Sequence, residues 1–183
     1  TKDHESLVCE FHVTTKNNHL HMNSKSFVFI AVLLLNGLVS FAQSPVVAAP
    51  DPDALFTSSD EKLHRNKQAA YHIVKDLLEC NHWDQAHKYI DKGYIQHNPN
   101  AADGLDAVVK FFVDIIKVKP TPIPEKMKTK VVSVVAEGDL VTVAFVKEEK
   151  HARTGEKYTT TWFDQWRFVD GKAIEHWDGA LKM

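Results

Sequence analysis

Asp164 stands between two tryptophans in the run Trp162-Phe163-Asp164-Gln165-Trp166. A charge among aromatic rings is costly unless it is paired or neutralised. Burial disfavours the charged form of a carboxylate, and that shift lets such a group give and take protons near neutral pH. The bland alternative is a structural salt bridge to a Lys or Arg elsewhere in the chain. His176 and Asp178 form a second candidate pair. Two residues apart on a strand, they share a face, and a hydrogen bond between them would hold one histidine tautomer. A surface pair or a dimer contact fits the same spacing. His97 ends a short apolar piece just before the turn residues Asn98-Pro99, where a hydrogen-bonded structural histidine is the competing expectation. The chemistry these residues suggest is proton abstraction by Asp164 from carbon next to a carbonyl. A neutral donor from His97, His176 or a tryptophan N–H would hold the resulting enolate.

Other chemistries lack their residues. His64 and His72 are eight apart, and His82 and His87 are five apart, neither at the helical i,i+4 spacing that puts two ligands on one face. Downstream of residue 42 there is no His-x-His and no His-Glu-x-x-His, so no metal is expected. Gly-x-Gly phosphate loops and a Gly-x-Ser-x-Gly nucleophile motif are also absent there, and no cofactor is expected.

These side chains must be positioned by helices followed by a sheet. Ser58 and Glu61 have the spacing of a capping box, and Leu63, Ala70, Val74, Leu77 and Leu78 follow at helical spacing, so residues 60–79 are read as an amphipathic helix. A second helix is expected over 83–91, closed by Gly93, and then a short extended piece from Tyr94 to His97. Asp103 is expected to cap a third helix over 104–117, with Leu105, Val108, Val109, Phe112, Ile115 and Ile116 as its apolar stripe. Pro120, Pro122 and Pro124 make a stiff connector. The period then changes to two. Strands are predicted over 128–136, 139–149, 156–169 and 172–178, with turns at Gly138 and at Asp170-Gly171. On strand 156–169 the alternation places Tyr158, Thr160, Trp162, Asp164, Trp166 and Phe168 on one face. The fold class is α+β, with three N-terminal helices packed on one face of a curved antiparallel sheet.

The 183 residues carry a net charge of −2 and no basic run, so neither nucleic acid nor an anionic membrane surface is an expected partner. Residues 22–42 read as a signal peptide: Lys25, the apolar run Phe27 to Leu35, and a small-x-small site at Ser40-Phe41-Ala42. Residues 1–21 are read as an upstream or artefactual segment, 43–57 as a disordered leader and 58–183 as the domain. The expected location is secreted or periplasmic, with no membrane contact after cleavage. Of Cys9 and Cys80 only the second then remains, in a structural role and without a disulfide.

The stretches Tyr94-Ile95-Gln96-His97-Asn98-Pro99, Ala102-Asp103-Gly104 and Phe111-Phe112, followed by Asp164-Gln165-Trp166-Arg167-Phe168 and Gly171 to Asp178, resemble the SnoaL-like (polyketide cyclase-like) family of the NTF2-like superfamily. The resemblance spans about residues 60–180. It implies a cone-shaped α+β barrel, often a homodimer through its sheet, and cofactor-free aldol condensation with an aspartate at a position like Asp164. Its histidine partner is not clearly matched; His151 lies in the loop before that strand. Many exported relatives carry His-x-His where this chain has Val143-Ala144-Phe145-Val146, a departure that predicts a more apolar ligand or lost catalysis. The expected catalytic set is Asp164, His176 and His97. The expected lining for a small hydrophobic molecule is Trp162, Trp166, Asp178, Phe112 and Tyr94. A non-catalytic binder and a dimeric interaction module are the alternative functions, since one fold hosts many activities.

Overall fold

The computed structural model describes residues 43–183. The signal-peptide reading of 22–42 and the upstream segment 1–21 lie outside the described residues. Helix α1 runs Glu61–His72 and continues without a break as a wider, π-helical segment Ile73–Glu79. Its cap differs from the expected one: Asp60, not Ser58, accepts the Leu63 backbone N–H at 2.8 Å. Both residues can cap, and the start of the apolar stripe alone did not choose between them.

The second helix is shorter than expected. A 3-10 turn spans Trp83–Lys88, and strand β1 has already begun at Ile90 and runs to Gln96. Gly93 therefore lies inside a strand and stops no helix. Helix α2, Leu105–Lys110, again continues as a π-helical segment, Phe111–Ile116. Asp103 does not cap it. Its Oδ1 accepts the Gln96 N–H at 2.8 Å, and Gly104, at φ 95°, occupies the capping position.

Strands β2 (Val131–Glu137), β3 (Leu140–Lys150), β4 (Lys157–Val169) and β5 (Lys172–Asp178) form the expected antiparallel meander. The β4–β5 turn is two residues, Asp170 and Gly171, both with positive φ, the geometry that matches strand twist. The sheet order is β1-β5-β4-β3-β2. β1 pairs with β5 in parallel, so the five-stranded sheet is mixed, not wholly antiparallel. The reason is connectivity: β1 precedes α2 in the chain and reaches the edge of the sheet only after that helix and three strands have intervened. The core lies between the helices and the inner face of the sheet, around Val74, Leu77, Val141, Val143, Trp166 and Phe168.

Residues 43–57 are not a disordered leader. The Ala49 N–H donates to the Val131 carbonyl at 2.8 Å along the β2 edge. Val46 N–H donates to Thr159 Oγ1 at 2.7 Å. Phe56, in a 3-10 turn Asp53–Phe56, is wholly buried in the core. Pro and Ala content suggested disorder, but one buried phenylalanine and a free strand edge outweigh it. Cys80 is a buried free cysteine whose thiol is pushed up by burial.

Candidate functional site

Period-two alternation turns Asp164, Trp166 and Phe168 inward on β4, while Phe163 faces out. The β4–β5 register sets Asp164 opposite Asp178 and Trp166 opposite His176. All four converge on a cavity of about 180 Å³ between the sheet and the helices. The cavity has an apolar wall and a polar end. The wall is aromatic: Trp83 and Phe112 stack at 3.8 Å and 8°, and Phe111, Tyr94 and Trp166 complete it. Phe111 and Phe112 reach it from the π-helical segment, whose wider turn alters the aim of successive side chains. Gln96, Asn98, Asp164, His176 and Asp178 form the polar end.

Asp164 and His176 are each 7 % exposed. Asp164 Oδ1 accepts the Trp162 indole N–H at 2.8 Å. His176 Nε2 lies 3.4 Å from the same oxygen, yet among the described residues it has no hydrogen-bond partner. The His176 ring is stacked with Trp166 at 5.3 Å and with Tyr94 at 6.4 Å. Burial, together with the nearby Asp164 and Asp178, pushes the Tyr94 hydroxyl far above the usual phenol range, so it stays a neutral donor.

The expected His176–Asp178 pair does not form. His176 Nδ1 bonds Gln96 Oε1 at 2.7 Å, and Asp178 accepts from Asn98 Nδ2 at 2.7 Å and from the Ala180 N–H at 2.9 Å. β1 lies parallel beside β5 and interposes these two amides. Asp164, His176 and Asp178 also offer one ligand atom each within 4.8 Å of one another, so they are the residues that could hold a cation here.

His97 sits apart from this group. It is half-exposed, its Nε2 lies 2.9 Å from Glu175 Oε1, and its ring stacks on Trp177 at 5.1 Å. Arg167 Nε donates to Glu175 Oε2 at 3.0 Å in the same outer network. The other expected residues, Trp162, Trp166, Asp178, Phe112 and Tyr94, all line the cavity. Sequence reasoning missed Gln96, Asn98 and Trp83. The alternation that selected Asp164 would have found two of them: counting by two from the inward Tyr94 reaches Gln96 and Asn98 and skips His97.

The SnoaL-like domain family matches residues 71–176, more than half of the chain. No curated protein matches. Among solved structures the chain is similar to TsrD from Streptomyces laurentii, at 14 % identity over 67 % of this chain and 90 % of that one, with a TM-score of 0.44. It is also similar to a protein assigned as a polyketide cyclase from Acidithiobacillus ferrooxidans, at 14 % identity, 67 % and 89 % coverage and a TM-score of 0.45. A third is a protein assigned as a SnoaL-like polyketide cyclase from a Jannaschia species, at 17 % identity, 61 % and 82 % coverage and a TM-score of 0.45. With a curved mixed sheet, helices closed over one of its faces and a family match that runs from α1 into β5, this chain belongs to the SnoaL-like domain family and has its NTF2-like fold.

Proposed function

We propose that the protein binds a small, mostly apolar carbonyl compound and moves a proton on it by cofactor-independent acid–base catalysis of the cyclase or isomerase type. One observation carries this reading: Asp164 and His176, both buried, meet at 3.4 Å at the polar end of an otherwise apolar cavity. One of the pair takes a proton from carbon next to the carbonyl, and its partner compensates the change in charge. The Tyr94 hydroxyl, kept protonated by its surroundings, donates to the enolate oxygen. In a low-dielectric site such fixed donors act more strongly than in water. The absence of histidine on β3 suits an apolar substrate, since Val143 lies directly beside Asp164.

The test is exchange of the α-protons of an enolisable cyclic ketone in heavy water, followed by NMR. Asp164→Asn is expected to slow exchange by at least ~10²-fold with the thermal midpoint little changed, the range typical of acid–base groups. Exchange that survives the substitution unchanged removes Asp164 from the proton transfer, and exchange no faster with the protein than without it leaves a non-catalytic binder of small hydrophobic molecules.

Two further properties belong to this proposal. Export with processing after Ala42 rests on the Met22–Ala42 pattern, and an N-terminal mass on exported material checks it. A homodimer through the outer face of the sheet is supported by the exposure there of Phe163 (55 %) and Val135 (63 %), and sedimentation of the full chain checks it.

A further inference from the structure

We infer that the π-helical end of α2 and the proline connector after it form a docking surface for an anionic lipid bilayer, set beside the cavity. This surface is separate from the proton chemistry at Asp164 and His176. Leu105, Val108, Val109 and Phe112 of the α2 stripe pack on the core. Ile115 and Ile116 continue the same stripe at helical spacing, yet they stand 63 % and 47 % exposed. The chain turns out of the helix at Lys117, at φ 61°, and meets the core again at Val118. The connector then adds Ile123, also exposed. Single exposed isoleucines need no explanation, but three within nine residues mark an interaction surface. Phe111 lines the cavity one turn before Ile115 on the same helix, so apolar surface runs from the cavity wall to the exposed stripe. That continuity suits an apolar ligand that enters from lipid.

Charge and backbone chemistry select the bilayer as the occupant. Residues 115–124 carry Lys117 and Lys119, both exposed, and no carboxylate. Neither lysine forms an ion pair among the described residues, unlike Lys126, Lys130 and Lys147. The α2 carboxylates Asp106 and Asp114 line a different groove, beside Trp83 and His87. The net charge of −2 averages this segregation away. Isoleucines that enter the acyl boundary while lysines meet lipid phosphates are the two parts of interfacial binding. A bare backbone N–H is costly in an apolar phase. Pro120, Pro122 and Pro124 have none. The N–H groups of Val118 and Thr121 are bonded inside the protein, to the Phe112 carbonyl at 3.1 Å and the Cys80 carbonyl at 2.9 Å.

The test uses the full chain and vesicles of phosphatidylcholine with or without phosphatidylglycerol. The apolar run Phe27 to Leu35 can hold lipid by itself, so the deciding readouts are local to α2. In Ile115→Trp the new indole is expected to be quenched by phosphatidylcholine with brominated acyl chains, beyond the quenching of the wild type, when phosphatidylglycerol is present. Flotation of Lys117→Gln with Lys119→Gln is expected to show an affinity lower by about fivefold per lysine removed, and high salt to weaken the wild type in the same way. Ile115→Asp with Ile116→Asp is expected to lose the lipid-dependent part of binding that the lysines strengthen; if that variant does not fold, the quenching decides. An unquenched indole on a vesicle-bound chain, or lysine variants that float like the wild type, would overturn the proposal. So would self-association that the isoleucine variant abolishes without any quenching by lipid, since the occupant would then be a second copy. None of these readouts involves proton exchange, so they stand or fall apart from the acid–base reading.

Discussion

Among the described residues Asp164 is held by a single side-chain donor, the Trp162 indole N–H at 2.8 Å, from two residues away on its own strand. Neighbours two apart share a face, so the same alternation that buries the carboxylate also brings its donor. That bond fixes which oxygen faces His176. Trp162→Phe keeps an aromatic ring and removes the donor. Proton exchange on an enolisable ketone is expected to fall about tenfold, while the affinity for toluene stays unchanged. The measurement is NMR exchange alongside calorimetry; a loss of toluene binding would mean that Trp162 acts by packing. Asp164 was legible in the sequence because strand periodicity needs no tertiary information. The partner of His176 was not, because Gln96 lies 80 residues away and reaches it only through sheet pairing.

At the scale of elements, two helices change width part-way along their length, at Ile73 and at Phe111, and both wider segments border the cavity. Apolar spacing predicted one continuous helix in each case and placed their ends well. It could not show the wider turns, because side chains repeating every third or fourth residue fit either winding over so short a length. The start of α1 is a separate question of side-chain geometry. Asp60 provides the observed cap, so Asp60→Ala is expected to cost about 1 kcal/mol, against less than about 0.5 kcal/mol for Ser58→Ala. Urea unfolding of the two variants distinguishes them, and the reverse order would restore Ser58 as the cap.

Across the whole molecule, the outer face of the sheet ties β4 and β5 through charge to the residues just after β1 and just before β3. Arg167 bonds both Glu175 and Asp139, and His97 joins them at Glu175. Hydrogen bonds from His97 and Arg167 hold the Glu175 carboxyl below its ordinary 4.5, and Arg167 holds Asp139 below 3.8. A carboxyl lowered in the folded state contributes stability above its unfolded value and loses it as pH falls through the folded one. The protein is therefore expected to weaken progressively below about pH 4.5, and Glu175→Gln to flatten part of that acid limb. Urea midpoints between about pH 6 and pH 3 measure the slope; an unchanged slope in the variant would show that these exposed pairs contribute nothing. The network also gives His97 a structural place, on the face opposite the cavity.

What the sequence determined by itself was local: the four-strand meander, its two-residue Asp170-Gly171 turn, the helical stripes, and the inward face of β4 that carries Asp164. Each follows from alternation or turn chemistry between residues close along the chain. The tertiary structure alone decided the rest. Parallel pairing of β1 with β5 brought Gln96 and Asn98, not His97, to the polar end, and separated His176 from Asp178. Packing of Phe56 and pairing at the β2 edge ordered the segment expected to be loose. Such contacts join residues far apart in the chain, so no local pattern encodes them, and they exist only once the sheet has closed against its helices.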